Sequence, residues 1–185
     1  VVRLVGSEMC IRDRDFMESK GMKNKLTTIN PGGVFGDALD KKGGTSIEYI
    51  RQFLKGKFPA APKFAVLISD VMDVAKSHIA CIDNKNVGGR RLIVGKEVKK
   101  LVELSQIMAD AMPEYAKKLP KKELPNFMVK LISYIDSSAK TMIPDLGIIM
   151  QTDTTYAEEL LGFKFKPAKG CIIENAKSVV KLGLV

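Results

Sequence analysis

The hydrophobic positions along this chain change period several times, and each change marks an element. Leu26 to Asn30 (LTTIN) is a short β-branched run that stops at Pro31-Gly32-Gly33. It predicts a strand ending in a loop, because proline cannot extend a ladder and glycine frees the backbone. Ser46 to Lys57 places Ile47, Ile50, Phe53 and Leu54 on one helical face. Gly56, Pro59 and Pro62 then end that helix and form a connector. Phe64 to Ile68 (FAVLI) is apolar throughout and predicts a buried strand, with Ser69 and Asp70 as N-cap candidates for the next helix. That helix carries Val71, Val74, Ala75, His78, Ile79 and Ile82 at helical spacing and closes before Gly88-Gly89. Arg91 to Val94 (RLIV) is a third short strand.

The remainder reads as helical. Leu101, Leu104, Ser105, Met108, Ala111 and Met112 form one stripe, ended by Pro113. Met128, Leu131, Ile132, Ile135, Ala139 and Met142 form another, ended by Pro144. A short helix with Tyr156, Ala157, Leu160 and Leu161 starts at Asp153-Thr154-Thr155 and has Gly162 as its C′ residue. Cys171, Ile172, Ala176, Val179 and Val180 mark the last helix. Three short strands among many helices predict an α/β protein with an incomplete sheet, since a buried parallel sheet needs neighbours on both sides.

Composition narrows the function classes. No apolar run approaches the length of a membrane span. Cys81 and Cys171 are too far apart for a disulfide framework or a zinc pattern, so a reducing, cytoplasmic setting is expected. With His78 as the sole histidine, a multi-histidine metal site is excluded. The net charge of +9 comes mostly from scattered lysine pairs such as Lys99-Lys100 and Lys121-Lys122. Solvated lysines on helix faces explain this better than a nucleic-acid surface, which would add arginine and aromatic residues. No nucleic-acid or membrane partner is therefore expected.

The candidate chemistry is sparse. A glycine-rich loop at the carboxyl end of a strand, Asn30 to Gly36, is where α/β sheets bind ligands. Asp70 and Asp73 have the spacing of an acid–base pair, but a helix cap and a first-turn carboxylate favoured by the dipole account for them better. His78 is expected to be partly buried and satisfied, and the methionines at 108, 112, 128 and 142 sit at core spacing. No nucleophile–base constellation is visible.

Taken in order, several segments resemble the carboxyl-terminal half of an extended short-chain dehydrogenase/reductase, of the dihydroflavonol-reductase-like, NAD-dependent epimerase/dehydratase group. DFMES followed by KLTTINPGGVFG is similar to the helix after that family's catalytic tyrosine and the strand leading to its nicotinamide-side loop. GTSIEYIRQFLKGKFP resembles the helix and connector that follow, and FAVLISDVMDVAKSHIACID resembles a strand, Asp-Val-x-Asp-Val-Ala and a helix carrying histidine. GGRRLIVG, LPNFMVKLISYID and TDTTYAEELLGFKFKP resemble the next strand and the family's tail.

The resemblance implies an incomplete Rossmann-type sheet with a mainly helical substrate-binding portion. It implies NADP or NAD as cofactor and a small carbonyl compound as substrate. Pro31, Gly32, Gly33 and Val34 would line the nicotinamide side, largely through backbone atoms. Phe35, Leu39 and Ser46 would lie toward the substrate, with residues 39–45 and 58–63 shaping the pocket. Two positions depart from the pattern: Asp37 stands where proline often follows the glycine, and Gly33 replaces a bulkier residue.

The larger departure is what the sequence lacks. There is no glycine-rich pyrophosphate turn opening a helix. There is no Tyr-x-x-x-Lys pair either: Tyr49, Tyr115, Tyr134 and Tyr156 are followed four residues later by Phe53, Leu119, Ser138 and Leu160. No catalytic residue is therefore assigned, and the chain by itself is expected to be inactive. Rival readings are a sugar-nucleotide epimerase or dehydratase, for which Arg90-Arg91 are the candidate diphosphate ligands, and a non-catalytic cofactor-sensing relative of the same fold.

Leu4 to Asp13 (LVGSEMCIRD) resembles one translated frame of a transposon-type sequencing adaptor. Residues 1–14 are accordingly expected to be non-native, with native sequence starting near Asp15.

Overall fold

The computed structural model describes residues 2–41, 44–134, 140, 143–149 and 151–185. The chain opens with helix α1 (Val2–Ser19), which runs through the boundary expected at residue 15 and leaves Ile11 and Phe16 exposed. Strands β1 (Thr28–Pro31) and β2 (Gly33–Phe35) follow as one run interrupted at Gly32. Helix α2 (Thr45–Leu54) buries Ile50, Phe53 and Leu54, three of the positions its period predicts. It ends in a Schellman turn: Gly56, at φ 71°, donates to Phe53 O, and Lys57 donates to Gln52 O.

Strands β3 (Ala61–Pro62) and β4 (Ala65–Asp70) lead to helix α3 (Val71–Asp83). Strands β5 (Arg91–Val94) and β6 (Glu97–Lys100) precede α4 (Leu101–Ala111), followed by β7 (Glu123–Leu124), α5 (Asn126–Ile132), α6 (Thr155–Leu161) and α7 (Ala168–Lys181). β1 pairs in parallel with β5. β2 pairs in parallel with β4, which pairs antiparallel with β6. β3 and β7 form a two-residue parallel ladder.

The strand run thus changes partner at Gly32, from β5 to β4. A Cβ there would stand 2.2 Å from Leu67 O, so only glycine lets the run cross β4 this closely. Ser69 holds the crossing together. Its buried hydroxyl accepts from Gly32 N (2.8 Å) and donates to Val94 O (2.6 Å), stitching three strands at one point.

The main core lies between the β2–β4 pair and helices α2, α4 and α7, around Phe35, Ile50, Phe53, Ile68, Leu104, Met108 and Ile172. A second, smaller core gathers Val87, Leu92, Val94, Ala157, Leu161 and Phe165.

Several expectations change. The strand expected to stop before Pro31 includes it, because Pro31 sits at the strand's end, opposite Val94. β6 falls in the stretch expected to be helical. Its sequence, EVKK, hides a strand because no apolar alternation marks it. The apolar face assigned to α3 points outward: Ile79 is 65% and Ile82 is 79% exposed, whereas Asp73 and Ser77 are buried. The bond from Lys166 N to Asp73 Oδ2 (2.6 Å) fixes that rotation. His78 is exposed rather than partly buried, and its Nδ1 donates to Val74 O (2.8 Å).

On α5 only Val129 is buried; Met128, Leu131 and Ile132 are exposed, so that stripe is not a core face. Ile135, Ala139 and Met142 lie outside the described residues. Met108 and Met112 are in the core as expected. Gly162 caps α6 in the left-handed conformation, as expected.

Candidate functional site

A cleft of about 520 Å³ opens where the central strand run ends. Its floor is Gly32, Gly33, Val34 and Phe35; α2 supplies Ser46, Ile47 and Tyr49 along one side. Phe64 and Val66 also line it, and the exposed Asp37 lies at its edge. The position follows from topology, since the loop after a parallel strand leaves the sheet at its carboxyl edge. The walls are mostly apolar, and among the described residues no lysine, arginine or histidine lines them.

Five of the seven residues named from the sequence therefore meet in one place: Gly32, Gly33, Val34, Phe35 and Ser46. Pro31 is exposed and does not line the cleft. Leu39 is 93% exposed and stands apart from it. The glycines have a packing duty as well. Gly32 is required by the β4 backbone, and a Cβ on Gly33 would stand 2.9 Å from a Val66 methyl. Asp70 and Asp73 form no acid–base pair. Asp70 accepts from Met72 N (2.9 Å) as the helix cap, and its other oxygen lies 3.5 Å from Lys166 Nζ. Arg90 and Arg91, the candidate diphosphate ligands, are exposed and lie outside the cleft.

Sequence reasoning missed the residues that hold the cleft's mouth. Asn175, buried on α7, donates from Nδ2 to Gly36 O (2.6 Å). Ala38 N donates to Ser178 Oγ (2.9 Å), whose hydroxyl bonds to Asn175 O. The last helix thus pins the loop on both sides of Asp37. The signal was available: Asn175 and Ser178 are polar residues set within the buried stripe of Cys171, Ile172, Ala176 and Val179. A buried polar group there implies a bonded partner.

Two further groups show the electrostatics of the frame. Burial would push the Glu158 carboxyl up, but hydrogen bonds from Lys96, the Phe165 amide and Lys164 outweigh it and hold the group at about 2. Burial, reinforced by the nearby Asp70 carboxylate, pushes the Cys171 thiol up to about 12, so it is no nucleophile. Among the described residues no group of acidic, cysteine or histidine side chains is arranged to hold a metal ion. Among the described residues no helix is long and apolar enough to cross a membrane.

The fold is a partial Rossmann-type sheet with an apolar cleft at its carboxyl edge, and solved structures of reductases share it. No family model matches the chain. Its homologues and structural neighbours include NADPH-dependent reductases of the extended short-chain dehydrogenase/reductase type. A putative NADPH-dependent methylglyoxal reductase of Candida albicans is 26% identical over 172 residues, covering 90% of this chain and 46% of the relative. Cinnamoyl-CoA reductase 2 of Arabidopsis thaliana is 26% identical over 158 residues, covering 85% of this chain and 42% of the relative. The structure of the Candida albicans reductase Gre2 in complex with NADPH superposes with a TM-score of 0.61 at 25% identity, covering 85% of this chain and 44% of that one. The chain spans about half the length of the curated relatives it matches.

Proposed function

We propose that residues 15–185 are the substrate-binding part of an NADPH-dependent reductase that acts on small carbonyl compounds in the cytoplasm, and that residues 1–14 are adaptor-derived. The observation that carries this reading is the apolar cleft at the carboxyl end of the β1–β2 run, bounded by five residues assigned to it by family resemblance. The relatives named for NADPH-dependent reduction supply the reaction class.

The cleft fits one end of the cofactor only. Among the described residues its walls offer no cation to a pyrophosphate, whereas the flat backbone of Gly32, Gly33 and Val34 suits an uncharged nicotinamide ring. When bound, the cofactor supplies hydride. The residues of this chain do the rest. Phe35, Ile47 and Val66, which line the cleft, would exclude water from the carbonyl carbon, and the Ser46 hydroxyl would orient a substrate oxygen. The proton donor and the phosphate-binding turn lie outside this sequence. The exposed position of Arg90 and Arg91 disfavours the sugar-nucleotide reading, because a diphosphate would need them in the cleft.

The test uses the 185-residue chain with NADPH and benzylacetone, a neutral ketone. The expected result is ketone-induced shifts in the Val34, Ile47 and Val66 methyl resonances with no loss of nicotinamide absorbance. Turnover by this chain, or methyl shifts confined to other residues, overturns the proposal.

A further inference from the structure

The chain carries 30 Lys and Arg against 21 Asp and Glu, yet its cleft reverses that bias. Among the described residues that line it there is no cation, and Asp37 is the one carboxylate. Asp37 is exposed at the mouth, and among the described residues it forms no ion pair with a lysine or arginine.

It is also held in place. Its neighbours on both sides are anchored to α7, Gly36 through the Asn175 amide and Ala38 through the Ser178 hydroxyl. The carboxylate is therefore fixed at the rim, within the reach of a side-chain rotation. The other acids nearby do not compete. Asp70, behind Gly36, faces Lys166, and Glu48 on α2 is engaged by Arg51 and Gln52. Asp40 and Lys41 lie further along the loop and do not line the cleft.

Two effects then act on a charged ligand with the same sign. An anion entering apolar walls loses its water and gains no counter-charge, which is costly for a carboxylate or phosphate. At the mouth it also meets a fixed negative charge, whose field is strengthened by low-dielectric walls. A cation gains at the mouth what the anion loses.

Resting on the reading of this cleft as the substrate site, we propose that it selects substrates by charge, with Asp37 setting the sign. Uncharged and amine-bearing carbonyl compounds are accepted; carboxylates and phosphate esters are refused. This narrows the substrate class to one that excludes keto acids, sugar phosphates and nucleotide sugars.

The experiment compares three ligands that share a phenylethyl body: benzylacetone (neutral), hydrocinnamate (anionic) and phenylpropylamine (cationic). Binding is followed on the full chain by methyl shifts and titration calorimetry. Hydrocinnamate is expected to bind about tenfold or more weaker than benzylacetone, and the amine at least as tightly as the ketone. Asp37→Asn removes the amine's advantage but leaves the acid weak, because the walls still lack a cation. Asp37→Lys reverses the order of amine and acid. Asp37 is exposed, so unchanged circular dichroism of both variants is the folding control.

Acid binding equal to the ketone's, or an order unmoved by Asp37→Lys, overturns the charge selection and leaves the cleft standing as a ligand site. Failure of all three ligands to bind overturns the site itself and the selection with it.

Discussion

Glu158 is the most exposed point of the electrostatic account, and Glu158→Gln tests it. The carboxylate is almost fully buried on α6, yet it receives Lys96 Nζ at 2.6 Å, Lys164 Nζ at 3.1 Å and the Phe165 amide at 2.9 Å. These contacts tie α6 to the turn between β5 and β6 and to the second core. Moving the carboxyl from 4.5 to about 2 corresponds to about 3 kcal/mol of native-state stabilisation. Lys164 is largely exposed and screened, which trims the expected loss to about 2 kcal/mol.

The sign follows from the direction of the shift. A carboxyl lowered in the folded state stabilises fully above its unfolded value of 4.5, and that contribution is lost as pH falls toward 2. Glutamine keeps an acceptor for the Phe165 amide but has no charge to lose. Urea unfolding followed by circular dichroism should show the variant about 2 kcal/mol less stable at pH 7, with less than half that difference at pH 3. An equal difference at both pH values, or none at pH 7, would refute the claim that the paired charge stabilises this corner.

Three further outcomes are expected. Gly32→Ala forces a Cβ against the Leu67 carbonyl and should cost about 3 kcal/mol in urea unfolding; a change below about 0.5 kcal/mol would show that the strand crossing is looser than described. Ser69→Ala leaves Gly32 N and Val94 O without their shared partner and should cost about 2 kcal/mol, with faster amide exchange at residue 32. Cys171, fully buried with its thiol raised to about 12, should resist a thiol-specific disulfide reagent at pH 8 until denaturant is added, which peptide mapping of the labelled cysteine checks.

How far the sequence could be read depended on which force shaped each segment. Where burial dominated, the period was a good guide: Ile50, Phe53 and Leu54 on α2, and Cys171, Ile172, Ala176 and Val179 on α7, are buried as their spacing implies. Where a polar contact set the geometry, it misled. Asp73, held by the Lys166 amide, turns the apolar side of α3 outward. The lysines of β6 conceal a strand whose place is fixed by its ladder with β4.

The cleft was legible as a glycine loop after a strand, and the structure brings Gly32, Gly33, Val34, Phe35 and Ser46 together there. The anchoring of its mouth by Asn175 and Ser178 was not legible. Those contacts span 139 and 140 residues of chain, and no local period encodes them.

The proposal is that this chain supplies the substrate side of a reductase, with the cofactor-binding and proton-donating parts encoded upstream of it. Sequencing the transcript upstream of the Asp15 codon tests it most directly. The account predicts an open frame that encodes a Gly-x-x-Gly-x-x-Gly turn near its start and Tyr-x-x-x-Lys shortly before Asp15, with no natural codons for residues 4–13. A transcript that encodes residues 1–15 contiguously after a start codon, without either motif, would contradict it.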